Sequence, residues 1–217
     1  MGSLWQDLRY ALRMLVKSPG MTSVLVITLA LGIGASTTIF SVVNSVVIRP
    51  LPYKDPDRLV RVYTEFLGRM QLRRFWVSGP ELDELQKSCR TCESVAGWSR
   101  GSASLAGGDR PVRVEAAYAT HQLLPLLGVQ PHLGRFYDAS EDTPGGDPTV
   151  VVLGYDAWQR AFAGDPAIIG RKIHLDAMPV SVIGVMPKGF DFLDREEAWV
   201  PAKFDYTKLN RGGHFIN

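Results

Sequence analysis

Cys89 and Cys92 are the only thiols in the chain, and their C-x-x-C spacing is its one candidate for reactive sulfur chemistry. A reactive dithiol needs its thiolate stabilised by a helix N-terminus or by nearby cations. A zinc site needs a second pair or histidines at ligand spacing, and His121, His132, His174 and His214 are scattered singly. No thioredoxin-like βαβ pattern surrounds the pair. A local disulfide in an oxidising compartment, or two incidental thiols, is therefore the favoured reading.

Other chemistry is sparse. The chain has no G-x-x-x-x-G-K-[ST] phosphate loop, no G-x-S-x-G elbow and no H-E-x-x-H motif. Glu141-Asp142 and Glu196-Glu197 sit beside turn residues, where a solvated surface is the default. Arg73-Arg74-Phe75-Trp76 could touch lipid headgroups or a partner, with an exposed loop an equal reading. No enzyme activity, cofactor or metal is expected.

The element that governs everything else is a run without charged side chains, residues 18–48, preceded by Arg9, Arg13 and Lys17. As a helix over 21–48 it would reach about 42 Å, and a bilayer's hydrocarbon core is roughly 30 Å thick. A cleaved signal peptide has a shorter apolar core, whereas here apolar character continues through Phe40 to Ile48, so a retained membrane helix is favoured. Upstream, Leu4, Leu8, Ala11, Leu12 and Leu15 recur at helical spacing, apart from a basic stripe of Arg9, Arg13 and Lys17. That is the pattern of an amphipathic helix on a membrane surface, with Trp5 and Tyr10 suited to the interface. Pro19-Gly20 is expected to break it.

Ala30-x-x-x-Gly34 and Gly32-x-x-x-Ser36 place small residues on adjoining faces of the membrane helix, where a second helix can approach. Asn44 adds an amide that calls for a partner inside a bundle. Charges flank the span on both sides, so counting them does not orient it.

Residues 49–217 hold equal numbers of basic and acidic groups, which excludes nucleic-acid binding through a basic face. Pro50 and Pro52 end the membrane helix. Residues 59–63 alternate as a strand. Ser78 is the expected N-cap of a helix over Leu82 and Leu85. Residues 95–98 and 102–105 read as paired strand pieces, with a turn at Gly107-Gly108 into a strand over 112–116. A short helix over 121–127 stops at Gly128. Residues 149–153 read as a buried strand followed by a helix over 155–162, and 172–175 with 180–185 as a hairpin. The fold class expected is α+β: one transmembrane helix, then an extracytoplasmic mixed α/β core of two subdomains.

Several segments in order resemble one family. Leu8-Arg9-Tyr10-Ala11-Leu12-Arg13, Lys17-Ser18-Pro19-Gly20, Leu29-Ala30-Leu31-Gly32-Ile33-Gly34 and Arg49-Pro50-Leu51-Pro52-Tyr53 are similar to its amino-terminal signature. Leu133-Gly134-Arg135-Phe136, Trp158-Gln159-Arg160, Gly164-Asp165-Pro166 and Gly184-Val185-Met186-Pro187 continue it. The chain resembles the MacB/FtsX-type ABC transporter permeases, especially the acidobacterial duplicated-permease branch. The resemblance implies a bacterial inner-membrane protein with residues 1–20 a cytoplasmic amphipathic helix, 21–48 the transmembrane helix and 49–217 a MacB-like periplasmic core domain. It also implies a separate ABC ATPase partner, further permease helices or a second permease copy, and contact with lipid and a periplasmic protein. Relatives continue into further membrane helices, so the chain is expected to be a partial permease.

The leading expectation is thus a permease subunit of an export or mechanotransmission system. The alternative is a singly anchored extracytoplasmic module that binds a protein partner. A thiol oxidoreductase acting through Cys89 and Cys92 is the remote third.

Overall fold

A computed structural model describes residues 3–44, 53–66, 72–108, 110–146, 149–190, 192 and 195–217. The chain divides into two compact units, Met1–Leu51 and Pro52–Asn217.

The described residues of the first unit form two helices, α1 (Ser3–Lys17) and α2 (Pro19–Val43). The break falls at Ser18 rather than at Pro19-Gly20. Proline lacks an amide hydrogen that the first turn would leave unpaired anyway, so Pro19 opens α2 instead of interrupting it. Ser18 Oγ donates to Met14 O at 3.2 Å and Thr22 Oγ1 to Leu15 O at 2.8 Å, which ties the two helix ends together. Asn44 retains helical backbone, and its N–H donates to Phe40 O and Ser41 O. Residues 45–48, the expected end of the span, lie outside the described residues.

The second unit is built on mixed strands. A hairpin of β1 (Thr64–Phe66) and β2 (Leu72–Phe75) is followed by β3 (Val77–Ser78) and α3 (Gly79–Ser88). Then come β4 (Trp98–Ala106), β5 (Val112–Ala119), α4 (Leu123–Leu126), β6 (Leu133–Gly134), β7 (Val150–Leu153) and α5 (Tyr155–Phe162). The chain finishes with β8 (Lys172–Leu175), β9 (Met178–Val185), β10 (Ala198–Pro201) and β11 (His214–Ile216).

The main sheet runs β6-β9-β7-β10-β5-β4-β8, and β8 also pairs with β9. Six strands therefore close into a ring. One face of all six contributes to a single apolar cluster, with Leu105, Val114, Val151, Ile173, Val182 and Val200 among its members and Trp158 and Phe162 of α5 packed into it. Alternate residues of β5, β7 and β10, including Ala117, Val152 and Trp199, face a second cluster closed by Leu123, Leu124, Leu127 and Phe192. Both faces of β7 are thus buried, which is why it reads as an unbroken apolar run. A third, smaller cluster joins Val77, Leu82 and Ile216, where β3 pairs with β11 beside α3.

Local chemistry sets the joints. Gly134 has φ +70, and a Cβ there would lie 2.1 Å from Ile183 O; a Cβ on Gly184 would lie 2.3 Å from Arg135 O. Only glycine lets β6 approach β9 so closely.

Several expected elements differ. Residues 59–63 alternate but are not a strand, because β1 begins only at Thr64 and pairing supplies what alternation alone cannot. The pieces 95–98 and 102–105 do not pair with each other; one strand, β4, runs from Trp98 to Ala106 and pairs with β5. β10 and β11 are additions to the expected elements, both defined by partners distant in sequence.

Candidate functional site

α2 is the first feature with functional content. It has 25 residues, about 37 Å of helix, no charged side chain and no buried residue. In water that surface would be untenable; in lipid it is solvated. Two of its hydroxyls are paired within the helix, as a bilayer favours: Thr28 Oγ1 donates to Val24 O and Thr38 Oγ1 to Gly34 O, each at 2.8 Å.

Ala30, Gly32, Gly34 and Ser36 are all exposed, and a Cβ on either glycine would meet nothing within 4 Å. At roughly 100° per residue, Gly32 lies about 200° around the helix from Ala30. The two small-residue pairs accordingly occupy opposite sides of α2, not adjoining faces. Asn44 follows the last turn. On α1, Arg9, Arg13 and Lys17 are exposed, as are Trp5 and Tyr10.

In the second unit, α3 starts at a well-formed cap. Glu81 Oε2 accepts from Ser78 N–H and Ser78 Oγ at 2.8 Å each and from Thr64 Oγ1 at 3.2 Å. Partial burial pushes the Glu81 carboxyl up, but these bonds outweigh it and hold the group below the ordinary carboxylate range. His214 Nε2 lies 3.5 Å from the same oxygen, its ring packed against Phe66 and Phe75 at 5.0 and 5.7 Å. The first turn of α3, β1, β3 and β11 thereby meet at one carboxylate.

At the other end of α3, Cys89 and Cys92 lie with Cα atoms 5.5 Å apart and their sulfurs bonded. This is a helix C-terminus, whose partial negative charge disfavours a thiolate. The helix N-terminus that activates many reactive dithiols is therefore missing here.

Two clefts indent this unit. One, of about 450 Å³, is lined by Asp83, Gln86, His121, Asp142, Asp205 and Tyr206. Tyr206 Oη donates to Gln86 Oε1 at 3.3 Å, and burial, reinforced by Asp142 and Asp83, pushes its hydroxyl up to about 12. Asp205, bonded by Lys208 and Thr207, is held down to about 2. The other cleft, of about 740 Å³, is lined by Lys54, Arg58, Cys92, Glu93, Pro125 and Leu126. Its polar rim is closed by an Arg58–Glu93 ion pair at 3.3 Å.

The acidic pairs expected on solvated surface are instead engaged. Asp142, its side chain 8% exposed, accepts from His121 N–H at 2.9 Å and Lys203 N–H at 2.8 Å, with His121 Nδ1 at 3.3 Å. Glu141 takes a two-pronged bond from Arg135, both arms 2.7 Å. Glu197 does the same with Arg160, at 2.8 and 3.0 Å. Glu196 is buried, with Arg100 Nε 3.5 Å away. These carboxylates pin loops to the ring. None is poised beside a nucleophile, and among the described residues no three metal-ligating side chains gather.

An uncharged helix long enough to cross a bilayer is thus followed by a closed mixed sheet with a small α3 annex. The chain belongs to the family described as the MacB-like periplasmic core domain, which matches residues 22–216. That family is a periplasmic domain of ABC-type transporter permeases.

Solved structures share the fold. The periplasmic region of MacB from Actinobacillus actinomycetemcomitans is similar at TM-score 0.51 and 19% identity, over 71% of this chain and 69% of that one. The extracellular domain of the noncanonic ABC-type transporter YknZ from Gram-positive bacteria is similar at TM-score 0.51 and 14% identity, over 71% and 76%. No curated protein matches the chain significantly.

Proposed function

We propose that this chain is a permease subunit, or the amino-terminal part of one, of an ABC-type export or mechanotransmission system. α2 crosses the inner membrane, α1 lies on the cytoplasmic face near a separate ATPase, and residues 49–217 stand outside. The observation that carries this reading is the union of two parts: a 25-residue helix that buries nothing within the chain, and a core of the MacB type. An extracytoplasmic setting also suits the Cys89–Cys92 disulfide, since oxidising compartments preserve such bonds.

In this reading Ala30, Gly32, Gly34, Ser36 and Asn44 are packing positions for other permease helices or a second copy. Small residues on both sides of α2 accommodate two neighbours rather than one. The core domain would move as ATP is hydrolysed across the membrane and engage a periplasmic protein through its surface.

The test is copurification of the full-length form in mild detergent. A phosphate-loop ATPase is expected to remain bound through size exclusion; its repeated absence would sink the proposal. Orientation is checked separately in spheroplasts. External protease should remove residues 49–217 and spare an epitope placed before Ser3.

A further inference from the structure

Equal charge counts in residues 49–217 conceal a polarity. Residues 49–76 hold seven basic and three acidic side chains, whereas 77–217 hold fourteen basic and eighteen acidic. The basic excess sits in the part of the second unit nearest the apolar helix in sequence. Large exposed apolar groups concentrate in the same stretch: Val60 is 83% exposed, Val62 48%, Tyr63 37% and Trp76 50%. Among the described residues of 77–217, only Ile169, Met178 and Phe215 are exposed large apolar groups.

Two of these side chains are brought together by the hairpin. Thr64 pairs with Phe75, so Tyr63, just before it, and Trp76, just after, come to the same end of the β1–β2 ladder. The Trp76 ring lies 5.6 Å from that of Phe75, whose other contacts are Phe66 and His214. Phe75 is thus held by the fold while Trp76 is presented outward. Arg73 and Arg74, on the same strand, are exposed.

Exposed aromatic rings beside guanidinium groups are the composition that settles at a lipid headgroup layer, the ring among the glycerol groups and the cations on phosphates. A bilayer is also close. Tyr53 follows Asn44 by nine residues, at most roughly 30 Å of extended chain. Tethering on that scale turns a weak surface affinity into a mostly occupied contact.

We infer that the strip formed by residues 60–66 and 72–76 docks on anionic phospholipid, with Trp76 and Tyr63 entering the headgroup region and Arg73 and Arg74 on phosphates. This rests on α2 spanning the bilayer as proposed above. The strip gives the ectodomain a lipid-bound resting position, distinct from its covalent attachment through the helix.

The experiment is amide hydrogen exchange on the full chain in nanodiscs, comparing zwitterionic phosphatidylcholine with discs containing phosphatidylglycerol. Peptides covering 60–66 and 72–76 should exchange severalfold more slowly in the anionic discs, and high salt should abolish the difference. The Arg73→Glu, Arg74→Glu double variant should lose it too. Each basic residue near an anionic surface strengthens binding by about fivefold, so the pair contributes on the order of 25-fold.

β5 and β7 serve as the folding control, since an unfolded variant would lose their protection. Should that happen, Trp76→Ser in its place tests the apolar half alone. If α2 is unprotected in every disc, the spanning reading has failed. If α2 is protected but the strip ignores lipid charge, this inference alone is overturned. Strip protection that instead follows the protein-to-disc ratio assigns it to a protein partner and also overturns it.

Discussion

Two segments of this chain are almost wholly apolar, and they meet opposite fates. β7, Val150–Leu153, is buried on both faces by a ring interior and an outer cluster of its own unit. α2, six times longer, buries none of its residues against the rest of the chain. Hydrophobicity is the same driving force in both cases. What differs is length: four residues fit inside one unit, whereas 25 residues of helix are enough to cross a bilayer. Length, rather than greasiness, separates the two elements.

One substitution type breaks the comparison most sharply. Val151→Asp puts an unpaired carboxylate into the ring interior and should cost about 5 kcal/mol or more, abolishing cooperative thermal unfolding of the ectodomain. Leu31→Asp on α2 should leave that transition in place. It should lower membrane retention instead, by roughly 3 kcal/mol of apparent insertion free energy, read by carbonate extraction. If both variants lowered the same melting transition, the division of roles would be wrong.

A smaller effect sharpens the α2 side. Gly34→Leu fills open space on the helix and should not change ectodomain melting. It should weaken helix association by roughly 1–2 kcal/mol, a several-fold loss of assembled complex on native gels. Unchanged assembly would remove Gly34 from the packing face.

The smallest effect belongs to pH. α2 has no charged side chain to titrate, so of the two it is the β7-containing unit that should respond to acid. The Arg135 guanidinium holds Glu141 below the ordinary carboxylate range. A carboxylate with a depressed folded value stabilises fully above its unfolded pKa, and that contribution is lost as pH falls through the folded one. Glu141→Gln should therefore destabilise at neutral pH by under about 1 kcal/mol and flatten the decline in melting temperature below about pH 4. A decline as steep as in the parent would assign the acid sensitivity elsewhere.

What the sequence disclosed follows the range of the forces involved. α5 begins at Tyr155 and ends at Phe162 as its periodicity indicates, and the β8–β9 hairpin turns at Asp176, because both depend on residues a few positions apart. The Ser78 cap and Glu81 are likewise neighbours. β10 was not legible, since its identity comes from β5, whose Ala116 pairs with Ala198. Residues 59–63 carry a strand's alternation and find no ladder. Asp142 and Glu196 looked like surface acids because their sequence neighbours are turn formers; their partners, Lys203 and Arg100, arrive from far along the chain. On α2 the small residues were visible, while their distribution over opposite sides required only helical geometry.

The closed ring has unequal seams. β4 and β5 share eight paired positions, from Trp98 opposite Ala119 to Leu105 opposite Val112. By contrast, β10 meets β7 at only Ala198–Leu153 and Trp199–Val152, and β4 meets β8 at only Leu105–Leu175 and Ala106–His174. Those two short seams divide the ring into a β4-β5-β10 half and a β7-β9-β8 half. Under a pulling load those two seams, each held by the fewest ladder pairs, are where the ring should open first.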